Sequence, residues 1–252
     1  MKWVMLLGLW TTTALAHKLE QRFQYWWLKG PQIKSFQYNL AGSINLNLSE
    51  SLLLGATHFE RFQEVDQQVF LGWKKKWLNN TLELIAQDGG GNEILSRREA
   101  NLTLAHGLSQ GYSLWGTLRT QKFNNNDVNL ATLGLEKEWL GGIFAVASLT
   151  GGRATYQRIA DTADVWGSQL RLGQYREDAW KIWGFITRGE EAQALANLNQ
   201  SAPLRVVSFG TGAEMTLKKF QLGLQLERTY YRTIQTRFES ALFYLNYAWG
   251  KQ

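Results

Sequence analysis

Apolar and polar residues alternate with a period of two through most of the chain. Phe36, Tyr38, Leu40, Gly42, Ile44 and Leu46 alternate with Gln37, Asn39, Ala41, Ser43 and Asn45. Near the other end Leu222, Leu224 and Leu226 alternate with Gln221, Gly223, Gln225 and Glu227. Val207, Phe209, Thr211, Ala213 and Met215 alternate with Ser208, Gly210, Gly212 and Glu214. Successive side chains of an extended strand point to opposite faces, so each stretch carries one apolar and one polar face. The pattern predicts fourteen strands, over 19–28, 36–47, 51–62, 67–78, 81–88, 97–106, 111–120, 128–139, 142–150, 165–175, 179–188, 205–216, 220–231 and 237–249. A count of twelve stays open. The one stretch with helical spacing, Glu190 to Leu198, is short and lies between two strands.

The connections follow a second rhythm. Every second one is tight: Leu48-Ser49-Glu50, Asn79-Asn80, Gly107 to Gln110, Leu140-Gly141, Arg176-Glu177-Asp178 and Leu217 to Lys219. The intervening ones include the longest: Asp88 to Ser96, Gln121 to Asp127, Gly151 to Asp164 and Gly189 to Leu204. Short turns at one rim and long loops at the other are what an antiparallel up-and-down transmembrane β-barrel requires, and an even strand number returns both ends to the rim of short turns. Both prolines, Pro31 and Pro203, fall in loops of the second kind, where no ladder donor is lost.

The first residues set the compartment. Lys2, the apolar run Trp3 to Trp10 and the small-x-small pattern Ala14-Leu15-Ala16 form a secretory signal peptide, with cleavage expected between Ala16 and His17. The run is far shorter than the ~20 residues of a membrane-spanning helix. Residues 17–252 are then the barrel. There is no cysteine, which excludes disulfides, zinc–thiolate sites and a cysteine nucleophile. Mean hydropathy is −0.29, and no stretch after residue 16 is long and apolar enough for a membrane helix, so a membrane protein with this sequence must cross with strands. The net charge of +6 is scattered and gives no argument for nucleic acid.

The chain has 12 Trp, of which Trp26, Trp27, Trp73, Trp77, Trp139, Trp166, Trp180 and Trp249 fall near expected strand ends, as the aromatic girdles of a membrane barrel do. A soluble lipocalin-like barrel is the competing architecture, but it closes with only about eight strands and gives no reason for the alternation of loop lengths.

The segment Gly107 to Arg153, GLSQGYSLWGTLRTQKFNNNDVNLATLGLEKEWLGGIFAVASLTGGR, resembles the middle of the YaiO family of outer-membrane β-barrel proteins. The shared features are a Gly-rich turn, a strand ending in Arg, an aromatic and Asn/Asp-rich loop and a Leu-Gly-Leu-Glu strand. Arg61-Phe62 followed by Asp66 is similar to that family's early hairpin, and Gly189-Glu190-Glu191 to its late acidic strand end. Family members tend to end on an aromatic residue; here Trp249 is followed by Gly250-Lys251-Gln252. The resemblance implies a barrel in the outer membrane of a Gram-negative bacterium, and no activity.

Catalytic chemistry has few candidates. Of three histidines, His17 would open the mature chain and His106 closes a strand at the rim of short turns. His58, two residues from Glu60, could meet a Ser on a neighbouring strand, the minimum for acyl transfer by a lipid-modifying outer-membrane enzyme. No nucleophile elbow, oxyanion feature or metal-ligand cluster accompanies it, so no catalytic residue, metal or cofactor is assigned. The lumen set says more. If the apolar faces meet lipid, then Arg119, Glu136, Arg171, Lys181, Glu214, Gln225 and Glu227 point inward, since a charge at mid-bilayer costs ~2–4 kcal/mol. Pairing of Glu136, Glu214 and Glu227 with Arg119, Arg171 and Lys181 would rigidify a narrow barrel; the same charges unpaired would select solutes. The expected protein is a non-enzymatic barrel, a narrow porin-like pore or a structural, transport-assisting part of the cell envelope. Its partners would be outer-membrane lipids and lipopolysaccharide, and the barrel-assembly machinery during insertion. An envelope polysaccharide or a transport partner stays open.

Overall fold

The computed structural model describes residues 17–28, 34–61, 64–90, 95–124, 126–156, 161–177, 179–191, 204–232 and 235–249. The expected signal peptide lies outside them, as do both prolines and most of the stretch with helical spacing. Fourteen strands follow one another: β1 (His17–Leu28), β2 (Lys34–Asn45), β3 (Glu50–Arg61), β4 (Glu64–Trp77), β5 (Asn80–Gly90), β6 (Arg98–Gly107) and β7 (Tyr112–Lys122). The second half is β8 (Asn126–Trp139), β9 (Ile143–Tyr156), β10 (Asp161–Arg176), β11 (Trp180–Glu191), β12 (Leu204–Leu217), β13 (Phe220–Tyr231) and β14 (Thr236–Trp249). Each pairs antiparallel with its neighbours in sequence, and β14 returns to β1 from His17 opposite Trp249 to Leu28 opposite Phe238. The sheet is closed. Among the described strands no ladder donor is left on an open edge, which in a chain without disulfides is the main source of order.

β1 begins and β14 ends at the rim that carries the turns 46–49, 78–79, 108–111, 140–142, 177–179 and 218–219. The longest connections, 91–97 and 192–203, are at the other rim. Several loops there are shorter than the sequence pattern implies. β9 and β10 run to Tyr156 and from Asp161, so the expected loop Gly151 to Asp164 shrinks to 157–160, and β4 starts at Glu64 rather than 67. The cause is physical. Above the apolar band both faces of a strand become polar and the alternation fades, while the backbone ladder continues: Arg153 still pairs with Asp164 across β9 and β10. At the opposite rim the turns are tight. Leu78 and Lys218 take left-handed φ values of 48° and 56°, and Gly142 (φ +74°) is required because a Cβ there would lie 2.0 Å from the Tyr175 carbonyl oxygen.

The register fixes which side chains share a face. On the outside Leu54, Leu71, Leu118, Leu133, Leu149 and Phe243 form a continuous apolar band, with Leu133 66% and Leu149 68% exposed. A band of this size cannot stay in water on a monomer. Trp77, Trp139 and Trp180 ring its lower edge on the outer face at the rim of short turns, and Trp166 lies toward the other rim. The side chains of Trp26, Trp27 and Trp249 lie outside the described residues.

Candidate functional site

The inner face is lined by hydroxyls and amides with a few charges. Hydroxyl pairs bridge neighbouring strands: Thr103 with Thr117 at 2.9 Å, Thr132 with Thr150 at 2.9 Å, Ser208 with Thr229 at 2.8 Å. Six inward rings share one arrangement: each faces a glycine on the next strand. Phe70 lies on Gly55, Trp115 on Gly134, Phe144 on Gly173, Trp183 on Gly212, Phe185 on Gly210 and Tyr244 on Gly223, and in each pair the two residues are direct register partners. A Cβ on Gly134 would meet Trp115 ring atoms at 2.2 Å, and one on Gly212 would meet Trp183 at 2.3 Å. The glycine removes the one atom that would push the ring into the lumen. The rings therefore lie flat on the wall.

Charged groups form separate clusters. The densest surrounds Glu99, whose side chain is 4% exposed. Its carboxylate accepts from Arg119 Nε and Nη2 (both 3.0 Å), Gln121 (2.6 Å), Gln87 (2.8 Å), Asn101 (2.7 Å) and Ser96 (3.2 Å). Gln68 donates to Ser96 and the Leu95 N–H donates to Asp66 at 2.7 Å, so the described end of the 91–97 connection is pinned against the inner wall. Beside it Phe123, Val128, Ala154 and Val165 form a small buried apolar cluster at the same rim. A second network joins Glu214 to Gln221 (2.5 Å) and Tyr244, and Gln221 to Asn246 (2.7 Å). On β1, Glu20 bridges Lys18 and Arg22, and Lys74 reaches Glu83 at 3.4 Å.

The register places Arg119, Glu136, Arg171, Lys181, Glu214 and Glu227 all on the inner face. It does not join them as the expected network. Arg119 takes Glu99, one diagonal step away across β6 and β7, because Glu136 is far down β8, opposite Ser113. Lys181 and Glu214 are direct register partners, yet they diverge. Glu214 turns to Gln221 and Tyr244, while the Lys181 ammonium lies 4.3 Å from the Phe144 ring centroid. Arg171 sits 5.9 Å from the Trp183 ring, and Glu227 accepts from Thr229 at 3.2 Å. Glu99 escaped the pattern because it lies near the start of its strand, although it shares a face with Asn101 and Thr103.

His58 faces outward, between Tyr38 and Gln67 in register, with its ring 5.5 Å from Phe36. The expected approach to a Ser fails for a reason of parity: in β3 the odd residues Ser51, Thr57 and Phe59 face the lumen and the even ones face out. His106 closes β6 at the short-turn rim, with Nδ1 2.8 Å from Asn80 Oδ1. Among the described residues no group of three or more His, Asp and Glu could hold a metal ion.

The chain matches no protein-family model and no curated protein sequence. Its fold is similar to solved outer-membrane barrels. A bacterial polysaccharide outer membrane secretin gives a TM-score of 0.56 at 10% identity, covering 96% of this chain and 100% of that one. OmpTdeltaL8, a loop-deletion mutant of an outer membrane protein of Vibrio cholerae, gives 0.57 at 8% identity over 94% of this chain and 99% of the other. A TodX monoaromatic hydrocarbon channel mutant gives 0.57 at 8% identity over 96% and 91%. The fold is that of bacterial outer-membrane β-barrels.

Proposed function

We propose that this chain is a non-enzymatic, porin-like pore of the outer membrane, exported by a signal peptide at residues 1–16 and inserted by the barrel-assembly machinery. Its YaiO-family resemblance supports that placement, and outer-membrane lipids and lipopolysaccharide are the surroundings its apolar band suits. One observation carries the pore reading. Arg22, in the middle of β1 and facing inward, keeps 51% of its side chain exposed despite its contact with Glu20, and inward Lys74 keeps 34%. A barrel filled by its own side chains would bury both. Water therefore reaches the interior at mid-height, and the flat-lying rings keep that space clear. The similar folds of a polysaccharide secretin and a hydrocarbon channel are compatible with a conduit.

The test is conductance of refolded protein in planar bilayers. Discrete, ohmic steps are expected. A barrel that shows heat-modifiable migration on gels yet no conductance above the bare membrane refutes the pore.

A further inference from the structure

We infer that Arg171, Lys181 and Trp183 form an anion subsite on the lumen wall, one that takes the carboxylate or phosphate group of a solute; access to it rests on the pore reading. The described inward basic residues Lys18, Arg22, Lys74 and Arg119 each hold a carboxylate. Among the described inward side chains of the strands Arg171 and Lys181 hold none, as does Lys76 near the rim end of β4. Both are mounted on aromatic faces instead. They flank the row in which Phe144, Gly173 and Trp183 stand opposite one another on β9, β10 and β11, with Arg171 on one side and Lys181 on the other. The Arg171 guanidinium lies 5.9 Å from the Trp183 ring and the Lys181 ammonium 4.3 Å from that of Phe144. A cation held against a ring face stays put without a counter-ion, and its remaining donors stay available.

The acceptor side of the patch is bare. Arg171 Nε and Trp183 Nε1 are buried and meet no acceptor among the described residues, although Trp183 is only 8% exposed. Buried donors left without a partner in a native structure call for an absent one, an ion or ligand among them. The carboxylates that face this region are Glu136 and Glu138 on β8, and Glu214 and Glu227 on β12 and β13. None lies within ion-pair distance of either cation, and Glu214 and Glu227 already accept from Gln221, Tyr244 and Thr229. Two cations held on the inner wall without an ion-paired acid, beside an indole N–H that has no acceptor, are the donor set that phosphate and carboxylate groups require.

Two measurements test it. In a tenfold KCl gradient, the Arg171→Gln/Lys181→Gln double variant should lose chloride relative to potassium permeability by about fivefold, as removal of two wall charges in a wet pore predicts. The charge-keeping pair Arg171→Lys/Lys181→Arg should stay near wild type. Calorimetric titration of the detergent-refolded barrel with inorganic phosphate, and separately with acetate, should show saturable binding that the glutamine variant loses. Whichever anion binds identifies the group recognised. Wild-type reversal potential and undiminished phosphate and acetate binding in the glutamine variant would overturn the subsite while leaving the pore intact. If the wild-type barrel does not conduct, the pore reading falls and the titration decides the subsite alone. If the glutamine variant loses heat-modifiable migration, the single variants Arg171→Gln and Lys181→Gln carry the same comparison.

Discussion

Replacing Glu99 by Gln keeps the shape of the side chain and removes its charge. The wild-type carboxylate is 4% exposed and accepts from five residues. An amide at this position offers one oxygen where two were used, and turns an NH2 toward groups that are themselves donors. Hydrogen bonds to a charged group are worth ~1.5–3 kcal/mol each, and breaking a buried pair costs ~3–5 kcal/mol. The Arg119 guanidinium is 41% exposed and hydrates when released, which places the expected loss near the lower limit, about 3 kcal/mol. Arg119→Ala removes the other half of the pair and should cost less, about 1–2 kcal/mol, because Gln87, Asn101, Gln121 and Ser96 still hold the carboxylate. Urea unfolding in phospholipid vesicles, followed by tryptophan fluorescence, gives both numbers from the shift in midpoint at constant slope. A Glu99→Gln barrel within 0.5 kcal/mol of wild type, on the order of an inert surface change, would refute the reasoning. So would an Arg119→Ala barrel that loses as much as Glu99→Gln.

Three further outcomes are expected. Leu224→Arg, on the outer band where Leu224 is 46% exposed, should cost ~2–4 kcal/mol in vesicle unfolding, while Gln225→Arg, one residue on and facing the lumen, should stay close to neutral. Equal losses at the two positions would show that the faces of β13 are assigned wrongly. Gly134→Val should lift the Trp115 ring off the wall, lowering stability by ~1–3 kcal/mol and reducing single-channel conductance together. Lys218→Gly should raise the unfolding midpoint by the equivalent of ~1 kcal/mol, since it relieves a left-handed residue at φ 56° in the turn between β12 and β13.

The barrel was legible because lipid punishes error. A single slip of register would turn the leucines of β13 inward and Gln225 and Glu227 out to hydrocarbon, so alternation is enforced wherever a strand crosses the apolar band. The same reasoning explains where reading stopped. β9 and β10 extend beyond the band, where Arg153, Thr155 and Asp164 meet water on the outer face as readily as inside, and nothing in the residue types marks the strand. The girdle shows the limit from the other side. Trp77, Trp139 and Trp180 sit on the outer face near a rim, but Trp115 and Trp183 turn into the lumen, and only parity distinguishes the two groups.

Parity also placed the six charged residues of the expected network on one face, and could go no further. Pairing depends on inter-strand register, which no single strand encodes. Arg119 meets Glu99 because β6 and β7 align Asn101 opposite Arg119; a shift of two residues would have delivered a different partner. Even correct register does not decide the pair. Lys181 and Glu214 stand opposite each other, as close as two residues on neighbouring strands can be, and still separate. Gln221 and Tyr244 draw the carboxylate toward β13 and β14, and the Phe144 face draws the ammonium toward β9. That face is within reach only because Gly173 lies between Lys181 and Phe144 with no side chain of its own. The glycines that flatten the rings are thus also what frees the cations from their acids. The two sequence signals, inward charges and inward glycines opposite aromatics, have to be read together before the lumen's chemistry can be.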